Sequence, residues 1–294
     1  MLRRLLPAAL ITAFAVPALA QNRAADFHWE KALSAGNEVS IHNINGDVTV
    51  IPSTSGKVEV VGIKRGSGDF DRIRADVQVT SRGVVICVLD TDPDSYCDER
   101  GMHSNSRNND RNNRGNREWN NVSMNLEVAV PANIQVSANS VSGDVSITGA
   151  TGDVRANSVS GDLRLDRLRA SSVSANTVSG NVEVSIQEFT GRGDLNFNTV
   201  SGDVTLDLPR QLDVDLSMTT VSGGINSDYA LTLGNGRVNR RNIEARIGSG
   251  GRRLTCSARP TTRHLAGIRS LRVDCRRTRC SRWNIRHGFA NRNG

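Results

Sequence analysis

Aspartate is the residue whose spacing in this chain comes closest to a metal-binding pattern. In the acidic segment 90–101, carboxylates occupy positions 1, 3, 5 and 9 of a calcium loop, namely Asp90, Asp92, Asp94 and Asp98. Calcium prefers such oxygen ligands, but these loops also need glycine at position six and a bidentate glutamate at twelve. Ser95 and Gly101 stand there instead. The segment therefore fits a plain acidic loop better than a Ca²⁺ site.

Aspartates also follow glycines at a series of recurring positions, namely Asp47, Asp144, Asp153, Asp162 and Asp203. Stacked above one another, their carboxylates would form an acidic ladder of the oxygen ligands that Ca²⁺ takes. An aspartate after a glycine is also an ordinary turn residue, and that interpretation is preferred. The sequence therefore favours no bound cofactor, and Ca²⁺ is the weak alternative.

Cys87 and Cys97 stand ten residues apart, at the start of the acidic segment. In an oxidising compartment this spacing favours a disulfide that closes the loop, with two free thiols as the alternative. Cys256 belongs to an odd-numbered remainder of three cysteines. The set Cys275, Cys280, His264 and His287 lacks the standard spacing of a zinc site.

Catalytic motifs are missing from the sequence, which has no Gly-x-Ser-x-Gly elbow and no His-Glu-x-x-His. Asp162, Arg164 and Asp166 resemble the charged residues on one face of polysaccharide-cleaving β-helices, but a solvated strand face explains them better. The tripeptide Arg192–Asp194 spells an integrin-recognition motif, which chance explains in a chain so rich in glycine and aspartate. A non-enzymatic protein is expected.

One phrase, Asn-Ser-Val-Ser-Gly-Asp with close variants, occurs five times between residues 139 and 224. Its glycines stand 18, 19, 22 and 21 residues apart. They are Gly143, Gly161, Gly180, Gly202 and Gly223, and Gly46 belongs to an earlier copy. Apolar residues recur at half this period, as at Val145, Val154 and Leu163. The sequence therefore predicts an all-β, β-solenoid-like stack of rungs of about 18–22 residues, with glycine at the turns.

Stacking the rungs places like residues on like. One expected column is buried and apolar, comprising Val141, Val159, Val178, Val200 and Val221. Another is hydrogen-bonded between rungs, comprising Asn139, Asn157, Asn176 and Asn198. Because neighbouring rungs share one core, Val178→Asp is expected to destabilise the whole stack. Antiparallel hairpins that form a sandwich are the alternative arrangement.

The chain is predicted to divide into four parts. Residues 1–20 have the charged start, apolar run and small-residue cleavage site of a signal peptide. Residues 21–36 are interpreted as a mobile leader. The repeat domain follows at 37–250, interrupted at about 90–121 by an insertion rich in Asn, Arg and Ser that is expected to be disordered. Residues 251–294 form an atypical basic tail.

The net positive charge of the chain comes from this tail. Residues 251–294 contain 12 arginines and one acidic residue, or +11, whereas residues 1–250 contain 25 basic and 29 acidic residues, or −4. The repeat body therefore offers no phosphate-binding surface by charge, and no nucleic acid is expected to bind it.

The repeated phrase, together with the exported start, resembles the bacterial DUF4097 family of β-strand repeat proteins, named "putative adhesins". The resemblance covers residues 40–250. It implies a β-solenoid-like fold at the cell envelope and carries over no catalytic residue, because none is defined for the family.

The end of the chain departs from the repeat. The segment 247–251 (IGSGG) looks like the start of another rung, but arginine-rich sequence follows instead. Two explanations stay open: a frameshift near Thr255, and a genuine basic tail that binds an anionic surface polymer or nucleic acid.

The resulting expectation is an exported, non-enzymatic protein of the periplasm or bacterial cell surface, which presents a long surface for adhesion or interaction. Its partner would be an envelope protein, a glycan or another copy of itself, and no membrane span is expected once the signal is removed. A carbohydrate-active β-helix enzyme and an envelope-stress or signalling accessory protein are the alternatives.

Overall fold

The computed structural model describes residues 25–90, 94–104, 121–220, 227, 232–233, 241–258 and 268–273. The predicted signal peptide, Asp92, Gly223, Val221 and the cysteines and histidines of the tail beyond residue 258 lie outside these residues. Most described strands belong to two long sheets, here called sheet I and sheet II, and the strands are numbered in chain order. A short 3-10 turn lies at Phe70–Arg72.

In spatial order, sheet I contains β1 (Phe27–Lys31), β4 (Val58–Ser67), β9 (Asn121–Val130), β3 (Val48–Pro52), β11 (Val145–Thr148), β13 (Leu163–Ala170), β15 (Val182–Phe189), β17 (Val204–Leu208) and β22 (Ile268–Val273). Sheet II contains β19 (Thr232–Leu233), β20 (Asn242–Ile247), β18 (Val214–Thr220), β21 (Arg252–Ala258), β16 (Leu195–Ser201), β14 (Val173–Ser179), β12 (Val154–Ser160), β10 (Gln135–Ser142), β2 (Glu38–Asn45), β6 (Gly83–Asp90) and β5 (Ile73–Thr80). A small separate hairpin contains β7 (Ser95–Asp98) and β8 (Gly101–Ser104).

The repeats form parallel rungs, each with one strand in each sheet. From β10 to β17 the chain passes alternately between sheets II and I, and each strand pairs in parallel with the equivalent strand of the next rung. The register aligns equivalent residues, such as Asn139 with Asn157 and Val145 with Leu163. The predicted stack of parallel rungs is confirmed, and the antiparallel sandwich is wrong.

The core lies between the two sheets and consists of columns of stacked apolar residues. One column of sheet II runs through Ala138, Ala156, Ala175, Phe197, Cys256 and Met218, all buried. A column of sheet I faces it with Ile147, Leu165, Val184 and Leu206. Because these columns run from rung to rung, the stack shares one continuous core. Burial of its side chains contributes about 25 cal/mol per Å² of apolar surface removed from water.

The valine column of the repeated phrase faces outward, contrary to the prediction. Ala138, two residues after Val136, points inward, so alternation directs Ser140 inward and Val141 outward. Side chains of this column remain 38% to 49% exposed, at Val141, Val159, Val178 and Val200. A collapse of the whole stack in Val178→Asp is therefore no longer expected.

A polar residue takes the inward position beside the glycine corners: Asn43 beside Gly46, and a serine or threonine in the later rungs. At two corners its hydrogen bond explains this choice. Thr177 Oγ1 donates to the Gly161 carbonyl at 3.1 Å, and Thr199 Oγ1 donates to the Gly180 carbonyl at 2.9 Å. Both threonines are buried. A valine here would leave the carbonyl oxygen of the glycine without this donor, and the lost hydrogen bond costs about 1 kcal/mol.

The glycines of the phrase form a tight corner between the two sheets. Positive φ angles, from 121° to 156°, occur at Gly46, Gly143, Gly161, Gly180 and Gly202. A Cβ on Gly161 would collide with the carbonyl oxygen of Gly143 in the rung below. Glycine is therefore required here both by backbone conformation and by the close approach of consecutive rungs.

Antiparallel strands close the N-terminal end of the stack. In sheet I, β4 pairs antiparallel with β9, and β1 pairs antiparallel with β4. In sheet II, β5 pairs antiparallel with β6. The prediction that residues 21–36 form a mobile leader is therefore wrong for Phe27–Lys31, which is a strand of sheet I.

The opposite end contains an inserted strand. β21 lies between β16 and β18 and pairs in parallel with both, although β18 precedes it in the chain. Leu254, Cys256 and Ala258 are buried in its inward positions. The stack therefore extends past residue 250, the predicted end of the repeat domain, and the alternation of the repeats continues through the proposed frameshift position at Thr255.

Candidate interaction surface

The outer face of sheet II carries regular columns of side chains, and we call it the ladder face. It comprises the asparagine column Asn139, Asn157, Asn176 and Asn198 and the exposed apolar column Ile44, Val141, Val159, Val178 and Val200. The amides of Asn157, Asn176 and Asn198 each donate to the side-chain oxygen of the asparagine in the preceding rung, at 2.9, 2.9 and 2.7 Å. The predicted hydrogen-bonded asparagine column is present.

The apolar column borders the asparagines. Its members are 36% to 49% exposed and follow one another at the strand spacing of about 4.8 Å. At one end, Ile44 contributes to an apolar pocket of about 200 Å³ with Ile73, Val88 and Val122. The ladder face therefore combines a rigid, internally bonded amide row with a continuous exposed apolar ridge.

The aspartates that follow the glycines form a second ladder, at the corner. The side chain of Asp47 accepts the backbone N–H of Asp144 at 3.0 Å, and Asp144 accepts the N–H of Asp162 at 2.8 Å. The series continues through Asn181 and Asp203 and begins at Asn125. At another corner, Asp153 accepts the N–H of Ser172 at 2.9 Å. Each carboxylate thus holds the turn of an adjacent rung.

Two described carboxylates of the acidic segment, Asp98 and Asp90, have protein partners. Asp98 accepts the N–H of Arg100 at 2.8 Å and lies 2.9 Å from His103 Nε2, and these bonds lower its pKa. Asp90 lies 3.9 Å from Arg72. Among described residues, which include Asp94 but not Asp92, no group of three or more His, Cys, Asp or Glu side chains is arranged to hold a metal ion.

The described part of the 90–121 insertion is a hairpin, which corrects the prediction of disorder there. Cys87 of β6 and Cys97 of β7 form a disulfide. Around this bond, Val85, Leu89 and the partly buried Met102 form a small second core. The continuous apolar run at 83–89 is the sequence signal of this arrangement, because β6 is buried on both faces.

A polar cleft of about 340 Å³ separates the hairpin from the ladder face. Its lining includes Glu38, Ser40, His42, Arg82, Glu99, Arg100, Ser137, Asn139 and Arg155. Burial lowers the pKa of His42, whose Nε2 lies 3.0 Å from Ser40 Oγ. Sequence reasoning missed this cleft, because its lining comes from strands far apart in the chain and from an insertion without repeat character.

The integrin-type tripeptide lies at a rung corner. Its Asp194 carbonyl accepts the N–H of Val173 at 3.3 Å, as the Asp153 carbonyl accepts the N–H of Val136 at 2.9 Å, so the two backbones have the same role at their turns. Arg252 of β21 reaches this corner, with its guanidinium 4.0 Å from the centre of the Phe189 ring and bonded to the Gly191 carbonyl. Burial lowers the pKa of Arg252.

The residues considered for polysaccharide cleavage are occupied by structural contacts. Asp162 accepts the N–H of Asn181 at 2.7 Å. Arg164 pairs with Glu183 at 2.9 Å, and Asp166 pairs with Arg167 at 3.0 Å. Their contacts are those of a solvated strand face and its turns.

Parallel rungs in two facing sheets, closed by antiparallel strands, define a β-helix-like repeat domain. The chain matches the family described as Toastrack DUF4097 over residues 34–259. It therefore belongs to this family, and the resemblance inferred from the repeated phrase is confirmed.

Two crystal structures of bacterial proteins are similar to this chain. One, titled "a putative cell adhesion protein" from Clostridium sporogenes, is 12% identical, with a TM-score of 0.44 over 84% of this chain and 99% of the other. The second, titled "a putative adhesin" from Bacteroides fragilis, is 13% identical, with a TM-score of 0.32 over 83% and 96%. No curated protein sequence matches significantly.

Within the described part of the chain, no helix is both long and apolar enough to span a membrane.

Proposed function

We propose that this chain is an exported, non-enzymatic protein of the bacterial cell envelope that acts by binding another envelope protein along its ladder face. The observation that carries the proposal is the exposed apolar column of Ile44, Val141, Val159, Val178 and Val200. Contiguous exposed apolar surface is typical of sites of protein interaction. A β-repeat domain of the DUF4097 family provides the rigid support for such a surface.

A protein partner fits this surface better than a glycan does. The asparagines of the ladder face already bond to one another, so their amides have fewer free donors and acceptors for sugar hydroxyls. The apolar ridge beside them gains most from apolar side chains of a partner, at about 25 cal/mol per Å² of buried surface. Its straight course across consecutive rungs matches an extended partner segment.

The test uses the mature chain from Gln21 as bait for cross-linking on intact bacteria, followed by mass spectrometry. The variant Val141→Ser/Val159→Ser/Val178→Ser replaces half-exposed apolar side chains, so its melting temperature is expected to stay close to that of the parent. The control, Arg164→Ser/Glu183→Ser, removes a more exposed ion pair from the outer face of sheet I.

The expected result is repeated recovery of one envelope protein by the parent and the control, and at least about a tenfold loss with the triple variant. Recovery of only further copies of this chain, or of glycan-bearing material, would overturn the protein-partner proposal. Equal recovery by the triple variant would show that the ladder face is not the binding surface.

A further inference from the structure

The cleft between the hairpin and the ladder face is a second concave surface, separate from the apolar column. We propose that it binds a saccharide unit that carries one carboxylate. This site goes beyond the interaction proposed for the apolar column and does not depend on it. The volume of about 340 Å³ is in the range of sites for small ligands.

Three arginines line the cleft, Arg82, Arg100 and Arg155. Within the part of the chain that the structure describes, Arg82 and Arg155 form no ion pair, in contrast to Arg164, Arg169 and Arg246 elsewhere on the surface. Arg100 interacts electrostatically with Asp98, which lies outside the lining of the cleft. A guanidinium presents a planar fork of donors that matches a carboxylate in bidentate geometry. These groups therefore supply the recognition of an acid.

The charge balance of the cleft sets the charge of its ligand. Among the groups that line the cleft, the three arginines outnumber the two carboxylates, Glu38 and Glu99, by one. Because burial lowers the pKa of His42, its ring adds no charge near neutral pH. One carboxylate on the ligand neutralises the excess, whereas a doubly charged phosphate overcompensates it.

Hydroxyl-binding groups surround the arginines. The carboxylates of Glu38 and Glu99 accept hydrogen bonds from sugar hydroxyls, and the Ser137 hydroxyl both donates and accepts. This mixture of anionic acceptors, a hydroxyl and guanidinium donors matches a polyhydroxylated acid better than a simple carboxylate such as acetate.

The hairpin fixes one wall of the cleft before any ligand arrives. The Cys87–Cys97 disulfide ties the hairpin to β6, and Arg74 donates to the Ser95 carbonyl at 3.0 Å. Gly101 packs so closely on the His42 ring that a Cβ there would lie 2.7 Å from a ring carbon. Preorganisation of this kind lowers the entropic cost of binding.

Isothermal titration of the mature chain with glucuronate, glucose and inorganic phosphate tests the site. We expect glucuronate to bind, Arg155→Gln to weaken its binding about tenfold, and the control Arg164→Gln to leave it unchanged. Absence of glucuronate binding, or equal binding of glucose or phosphate, would overturn the proposal. Equal loss in the control would show a general charge effect and would also overturn it.

Two further titrations separate this site from its surroundings. Reduction with dithiothreitol frees the hairpin and is expected to weaken glucuronate binding while the β-sheet circular dichroism is retained; unaltered affinity would overturn the role of the hairpin as a wall. The Val141→Ser/Val159→Ser/Val178→Ser variant is expected to bind glucuronate normally. Loss of binding in that variant would place the ligand on the apolar column instead.

Discussion

The chain crosses from sheet II to sheet I in one way in the regular rungs and in another way in the N-terminal rung, which is built from β6 and β9. Between β12 and β13, Gly161 and Asp162 turn the chain within two residues. Between β6 and β9, the chain leaves at Asp90 and returns at Asn121. Both rungs nevertheless keep their inward register, since Ile86 pairs with Ile41 and Leu126 pairs with Val48.

The two rungs also differ on their outer faces. In the regular rungs, the outer positions of sheet II carry polar or half-exposed side chains, whereas β6 is apolar on both faces. The insertion accounts for this difference, because its hairpin covers Val85, Cys87 and Leu89. The pairing of the strands therefore fixes the register, whereas a corner between strands tolerates an insertion, which here adds a new surface.

The largest difference is expected between a buried and an exposed position of the same strand, when the same charge is introduced at each. Ala175 is fully buried and Val178 is 48% exposed, three residues further along β14. Ala175→Asp places an unpaired charge in the shared core and is expected to lower the free energy of unfolding by about 4 kcal/mol or more. Val178→Asp is expected to change it by no more than about 1 kcal/mol.

Urea denaturation of both variants, followed by circular dichroism, measures this difference. Similar losses for the two would contradict the assignment of Val178 to the outer face and would restore the buried valine column.

The next effect tests the glycine corner. Gly161→Ala forces a side chain into a φ of 156° and against the Gly143 carbonyl, so we expect a loss of about 3 kcal/mol. Gly36 has a φ of 87°, and no atom lies within 4 Å of the position that a Cβ would take there. Gly36→Ala is therefore expected to cost only about 1–2 kcal/mol.

The same unfolding assay compares the two glycine variants. Equal costs would mean that backbone conformation alone, without the contact between rungs, explains the repeated glycine.

The smallest expected effect is a pH dependence from His42, which takes the asparagine position of its rung beside Asn139. Burial lowers its folded-state pKa below the ordinary value of about 6.5, so between the two values only the unfolded chain binds a proton. Stability is therefore full above about pH 6.5 and falls as the pH decreases, by at most about 1.4 kcal/mol per pH unit.

Unfolding midpoints at pH 7.0 and 5.5 measure this slope in the parent and in His42→Asn, which extends the asparagine column. The variant is expected to lose less stability than the parent at pH 5.5. Identical changes in both proteins would show that His42 does not contribute.

Periodicity made the rungs and the asparagine column predictable, because every copy of the phrase repeats the same contacts. It did not reveal which side of the strand faces the core. Valine is more apolar, but polar side chains that donate to the corner carbonyl take the inward position, as Asn43 and Thr177 show. A local hydrogen bond therefore outweighed the apolar preference.

The polar cleft was beyond reach for a different reason. Its groups come from Glu38, Arg82, Arg100 and Arg155, which only the packing of β2, β6, β10 and β12 with the hairpin brings together. The repeat predicts neighbours one period apart, and most of these residues belong to no repeat.

The position of β21 has a consequence for the order in which the molecule is assembled. This strand fills a slot between β16 and β18, both of which are synthesised before it. A chain emerging from its N-terminus can add rungs one after another only as far as β17. Sheet II cannot be completed until residue 258 has been synthesised. A shortened product would therefore keep two unpaired strand edges, those of β16 and β18, which quality-control proteases and chaperones recognise.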